Sequence, residues 1–205
     1  MKVNRKFMNA QLLKSAAMAL VVCAGVVACK DKDKAPAPAT ATVSAPLQDP
    51  LAGYLAASGY DQEVMSVIDG DYYEFGYSFI PLVNGKITAI VVKIPDVHME
   101  LKVTVWDKAA GKVLRTESVD VANANVEVIK QIAALDLVKD KEYIISMNGN
   151  DWYSHYKTSR ASADYPFTVG DIKITSYGSS FGTEQTMPQP YSLAYSGDCS
   201  FKFQK

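Results

Sequence analysis

Histidine, tryptophan and cysteine are scarce here: two His, two Trp and three Cys in 205 residues. A metal site or a His-based catalytic pair has only His98 and His155 to draw on. His98 sits in "PDVHME", a turn between strands, and reads as a solvated loop residue. His155 sits in "DWYSHYK" and reads as a strand residue on an exposed edge. Ser154 directly precedes it, and adjacent strand residues point to opposite faces, so the two fail the geometry of a nucleophile and its base. There is no Gly-x-Ser-x-Gly elbow, phosphate loop, His-Glu-x-x-His or paired-Cys zinc pattern. The expectation is a protein that is not an enzyme, with no catalytic residue, no metal site and no cofactor. Asp69, Asp71 and Glu74 in "VIDGDYYEFG" carry oxygens of the kind calcium takes, but their spacing is not that of an EF-hand, and a turn with exposed acids is the expectation. A glycosidase pair of carboxylates can lie far apart in sequence, yet no acid stands in an obviously apolar surrounding.

An excess of positive charge is also missing. The net charge is -1. The first 28 residues hold Lys2, Arg5, Lys6 and Lys14 and no acid, so the remainder is more acidic than the whole. Nucleic acid is excluded as a partner, because phosphate binding needs a basic footprint. A long apolar run is absent too. The uncharged stretch Ala16 to Ala28 spans 13 residues, short of the ~20 that cross a bilayer. Of the cysteines, Cys23 lies within this stretch, Cys29 closes it, and Cys199 stands alone near the other end. With the leader removed and Cys29 modified, one thiol remains and no intrachain disulfide forms. Cys199, followed by Ser200-Phe201-Lys202-Phe203, reads as a small buried residue in a final strand.

The N-terminal pattern, basic and then apolar, is that of a secretory leader over residues 1–28. It ends in Val26-Val27-Ala28-Cys29, which resembles the lipobox of bacterial lipoproteins. The resemblance implies that the thiol of Cys29 receives a diacylglyceryl group and that the leader is cut just before it. Cys29 is then the lipidation site and the membrane a partner through its acyl chains, each buried CH₂ contributing ~0.8 kcal/mol. An ordinary secretory signal cut after Ala28 is the alternative; it leaves Cys29 a bare N-terminal thiol. Lys30-Asp31-Lys32-Asp33 reads as a solvated run, or, by its likeness to the Lys/Asp-rich export signal of some Gram-negative bacteria, as an address to the outer face of the outer membrane. "APAPATATVSAP" (Ala35 to Pro46) lacks the apolar bulk to form a core, so residues 29–50 read as the lipidated Cys and a disordered tether.

Residues 51–205 read as one all-β domain, an antiparallel, jelly-roll-like β-sandwich with a short N-terminal helix. The helix is "DPLAGYLAASGY", with Asp49 as N-cap, Pro50 at the first position and Gly59 near its end. Period-two runs follow: "YEFGYSF", "KITAIVVKI", "ELKVTVWD", "KVLRTESVDV", "NVEVIKQI", "KEYIISMN", "DWYSHYK", "DIKITSY" and "CSFKFQ". Pro81, Pro95, Pro166, Pro188 and Pro190 are expected outside strands, and "TEQTMPQPYS" is expected as a loop. Many short strands without intervening helices make a sandwich. The run "FGYSF", "NGKITAIVVKI", "LKVTVWDKAAGKVLRTESV", "VKDKEYIISMNGNDWY" (Phe75 to Thr158) is similar to an uncharacterised β-sandwich family of secreted bacterial proteins, catalogued only as a domain of unknown function. Lys141 or a neighbour stands where that family has a Gly before the Tyr. The resemblance implies a jelly-roll-like module at the cell exterior, often beside carbohydrate-active modules, and brings no catalytic residues.

Two aromatic clusters complete the reading: Tyr72, Tyr73, Phe75 and Tyr77, and then Trp152, Tyr153 and Tyr156. Rings on a sandwich face stack on the apolar faces of sugars, with polar groups beside them taking hydroxyls. The expected ligand-binding residues are Trp152, Tyr153 and Tyr156 with Asn150 and Asp151. The expected function is a surface-exposed outer-membrane lipoprotein that binds a glycan without catalysis. The alternative is an assembly lipoprotein that holds a protein partner through the sandwich.

Overall fold

A computed structural model describes residues 46–67, 70–183, 185–191 and 194–205. The leader, Cys29, the tether up to residue 45 and Asp69 lie outside the described residues.

The chain enters through Gln48, whose backbone pairs with Phe203 (N–H to O 3.0 Å, O from N–H 2.8 Å). The helix α1 (Pro50–Ala57) follows for the reasons its sequence predicts. The Asp49 carboxylate accepts from the Ala52 N–H at 3.2 Å, Pro50 takes the first helical position, and the Ser58 N–H closes on the Tyr54 carbonyl at 2.8 Å. Leu51 and Tyr54 are buried and Leu55 half-buried, which is the face expected from their spacing.

Thirteen strands follow among the described residues. They are β1 (Gln62–Val67), β2 (Tyr73–Pro81), β3 (Gly85–Lys93), β4 (His98–Asp107), β5 (Lys112–Val121), β6 (Val128–Leu137), β7 (Tyr143–Gly149), β8 (Asp151–Tyr156), β9 (Phe167–Val169), β10 (Ile172–Phe181), β11 (Gln189–Tyr191), β12 (Tyr195–Ser196) and β13 (Asp198–Gln204). The main sheet has the order β11-β10-β2-β7-β4-β5, with β9 also on β10. Two three-stranded sheets, β13-β3-β6 and β1-β8-β12, complete the all-β sandwich. Every pairing is antiparallel. The two smaller sheets are joined by one stretch of chain. β12 runs into β13 through Gly197, at φ +82°, whose N–H donates to the Tyr153 carbonyl at 2.9 Å. Between the main sheet's β7 and the smaller sheet's β8 stands a single residue, Asn150.

The core lies between the sheets. Phe75, Tyr77 and Phe79 of β2 share one face, as their alternation predicts, and meet Phe201 and Phe203 of β13, Ile90 and Val92 of β3 and Tyr195 of β12 in one cluster. The rings of Phe79 and Phe201 lie 4.6 Å apart and those of Tyr177 and Tyr195 4.9 Å apart. Cys199 is buried in β13, in the small-residue role its sequence suggests.

Four sequence expectations are corrected. The loop expected over "TEQTMPQPYS" contains β11, which pairs with β10 (Gly178 opposite Pro190). Pro190 therefore stands in a strand, but at the sheet's edge, where its missing N–H breaks no ladder. Pro81 is the last residue of β2 rather than outside it. The β6 strand begins at Val128 and runs on to Leu137, past the "NVEVIKQI" segment. Finally, Glu74, expected as an exposed acid in a turn, stands in β2 and is buried, as are Ser78, Thr104, Ser146 and Asn148 on the main sheet. One cover is the segment after β10, where the Gln185 amide donates to the Thr104 and Thr116 hydroxyls.

Candidate functional site

Strand β8 distributes the residues singled out by sequence onto two faces. Trp152, Ser154 and Tyr156 alternate with Asp151, Tyr153 and His155, the second set buried and the first half-buried. Trp152 packs its ring 4.7 Å from Phe75 and 5.3 Å from Tyr73, and its Nε1 donates to the Ser154 hydroxyl at 3.1 Å. The Tyr73 ring also meets Phe181 edge-on at 5.3 Å, and Phe181 is 68% exposed. The fold thus brings the two aromatic clusters of the sequence together and adds a ring from β10. Tyr73 and Phe181 stand opposite each other where β2 and β10 pair. Tyr73, Trp152 and Phe181 form a partly open aromatic patch, with Asn150 half-buried between β7 and β8.

The other predicted residues are engaged elsewhere. Tyr153 is buried, its hydroxyl donates to the Asn125 side chain, and the Lys93 ammonium lies 4.4 Å from its ring centre. Tyr156 carries the Arg160 guanidinium at 5.2 Å from its ring centre. Asp151 is buried at the start of β8. Of the residues singled out in this strand, Trp152 and Tyr156 are half-buried, whereas Asp151 and Tyr153 are buried.

The expectation of an exposed His155 is overturned. The residue is 7% exposed, because β8 is flanked by β1 on one side and β12 on the other. His155 faces Glu63 across β1 and Tyr195 across β12. Its Nε2 lies 2.7 Å from the Asp198 carboxylate, and its Nδ1 lies 3.8 Å from the Glu63 carboxylate. A carboxylate only accepts, so Nε2 carries the proton in this contact. These three side chains border a cavity of about 340 Å³ between α1, β1, β3, β8 and β13, which Asp49, Glu127 and Lys93 also line. Ser154 points away, its hydroxyl bonded to that of Ser196 at 2.8 Å, as the strand alternation requires.

A second buried polar group lies on the main sheet. Glu74 accepts from the Ser146 hydroxyl at 2.5 Å, and that hydroxyl accepts from Trp106 Nε1 at 2.9 Å. Burial pushes the Glu74 carboxyl up to about 7, against the opposing pull of hydrogen bonds from Ser146 and Asn148. Glu74, like Asp151 and Asp198, is a buried acid that the sequence does not announce.

No protein-family model matches the sequence, and no curated protein matches it either. The Glu63–His155–Asp198 group gave no local signal, because its members come from three strands and only the fold aligns them. The aromatic patch was half visible: Trp152 and Tyr73 stood in recognised clusters, whereas Phe181 ends a strand whose neighbours are mostly small or polar.

Proposed function

We propose that this chain is a lipoprotein of a bacterial outer membrane, held by acyl chains on Cys29 and displayed at the cell surface, whose sandwich binds a glycan without catalysis. The observation that carries the glycan reading is the patch of Tyr73, Trp152 and Phe181. Tyr73 and Trp152 are half-buried against the core and Phe181 is exposed beside them, so their orientation is fixed at little entropic cost when a sugar stacks on them. The lipobox resemblance of Val26-Val27-Ala28-Cys29 supports the anchor, and Lys30 to Asp33 supports the outward address. The separation of Ser154 from His155 onto opposite faces supports the non-catalytic reading.

Glycan-array screening of the wild-type chain beside Trp152→Ala and Phe181→Ala tests this. The expected result is a glycan signal that weakens at least tenfold in each variant, with circular dichroism unchanged, since sugar–ring stacking is lost with the ring. In cells, mass spectrometry is expected to find Cys29 acylated and protease shaving to release the sandwich.

A second reading, a protein partner, is favoured by β1. Among the described residues this strand is paired only with β8, and it exposes Val64, Met65 and Val67. An unpaired apolar edge accepts a partner strand. Silence on the glycan array, together with cross-links from β1 in intact cells, would decide for this reading.

A further inference from the structure

We propose that Glu63, His155 and Asp198 form a binding site for a divalent transition-metal ion of the zinc class. His155 Nδ1 and a Glu63 oxygen are the ligands, and Asp198 is the carboxylate that holds the imidazole. The site is separate from the aromatic patch and stands whether or not that patch binds sugar.

The geometry has three parts. First, Asp198 and His155 are both buried, and their 2.7 Å contact sets the ring's orientation. With the proton on Nε2, the lone pair sits on Nδ1, the atom that faces Glu63. This is the carboxylate–histidine–metal arrangement, in which the outer carboxylate fixes the tautomer and raises the basicity of the ligating nitrogen. Second, the gap from Nδ1 to Glu63 is 3.8 Å. That is too long for a hydrogen bond. Metal bonds of about 2.0–2.2 Å to nitrogen and oxygen put two donors roughly 3.4 Å apart at a tetrahedral angle. The Glu63 side chain is about half exposed, so a small rotation closes the difference. Third, the surroundings favour a cation. Glu127 lines the cavity with Glu63 and Asp198; Asp49 does too but is paired with Lys202 at 2.9 Å. Lys93, opposite Asp198 in the β3–β13 pairing, holds its ammonium 4.4 Å from the Tyr153 ring centre, so three carboxylates face one lysine.

The donor set selects the ion. One imidazole nitrogen and one carboxylate oxygen suit Zn²⁺, Co²⁺ or Ni²⁺; calcium and magnesium take oxygen alone. Two protein ligands leave the remaining positions open toward the cavity, for water or for a donor brought by whatever enters it. The competing arrangement is an imidazolium held between two carboxylates, which takes up no metal.

The test is titration of the full chain with ZnCl₂ by calorimetry and with CoCl₂ by visible absorption. The expected result is one ion per chain at this site, with Co²⁺ d–d bands and no thiolate charge-transfer band, and no competition from Ca²⁺ or Mg²⁺. Glu63→Gln, at a half-exposed position that leaves the fold intact, is expected to weaken binding at least tenfold. Asp198→Asn is expected to weaken it 10- to 100-fold, the range found when an outer carboxylate is lost. His98→Ala is expected to change nothing. Absence of uptake by the wild-type chain would overturn the proposal in favour of the imidazolium arrangement. So would uptake that Glu63→Gln leaves unchanged, or a thiolate band that traces the ion to a cysteine.

Discussion

Glu74 shows how a single side chain can set a pH dependence. Its neighbours along the strand alternate in the ordinary way, and its own position reads as a solvent face. Instead it is 1% exposed, and its carboxyl is pushed up to about 7 from the ordinary 4.5. With the folded value above the unfolded one, the native state binds the extra proton. The associated stability is full below pH 4.5 and is lost as pH rises through 7. A shift of this size corresponds to about 3 kcal/mol in all, most of which falls between pH 5 and pH 8. Urea unfolding at those two pH values is expected to show that loss in the wild-type chain and a much flatter response in Glu74→Gln. An equal slope in both would assign the pH dependence to other groups. The sequence gives no warning of this residue, because its partners come from far away in the chain: Ser146 and Asn148 of β7, the first held in turn by Trp106 of β4.

At the level of elements, legibility follows how local the determinants are. Helix α1 is written in consecutive residues: a capping Asp, a first-turn Pro, an apolar face, and Gly59 at φ +75° after its end. The long strands are written in their alternation. The shortest, β9, β11 and β12, have two or three residues, too few to show a period, and β1 is exposed along nearly its whole length and so shows no alternation. They exist because a neighbouring strand offers them a ladder. Pro190 within β11 even argues against a strand until the edge position is known. The helix also gains from contacts no local pattern reveals. Asp49 pairs with Lys202 at 2.9 Å and accepts from the Ser200 hydroxyl at 2.6 Å, so its cap is tied to β13. Asp49→Ala is expected to cost about 2 kcal/mol in chemical denaturation, the upper end for a cap. Asp49→Asn is expected to recover most of the capping part and none of the ion pair. If Asn proves as costly as Ala, the link to Lys202 outweighs the cap.

For the molecule as a whole, the class of fold was readable and the assembly of the candidate sites was not. Strand after strand without helices leads to a sandwich. Which strands become neighbours depends on turns such as Gly197, where β12 leaves its pairing with β8 and β13 takes up its pairing with β3. That passage places Asp198 beside His155, whose positions lie 43 residues apart. A side chain at Gly197 meets two obstacles. The φ of +82° costs ~1–2 kcal/mol for an L-residue, and a Cβ there would approach Phe75 Cβ to 2.5 Å. Gly197→Ala is therefore expected to destabilise by more than ~2 kcal/mol, and to alter the fluorescence of Trp152, which rests on the same Phe75. Stability within ~0.5 kcal/mol of wild type would mean that this junction is more pliant than its geometry indicates.

Gln48 has a mechanical meaning. Its backbone is stitched to Phe203, its amide nitrogen donates to Asp171 at 2.5 Å, and its amide oxygen accepts from the Asp171 N–H at 2.8 Å. A tug arriving along the preceding residues is met there, by the final strand and the β9–β10 turn at once, before it can reach the helix. The domain is cleated at its point of entry, and drag on the sandwich would strain this knot before it reached the helix.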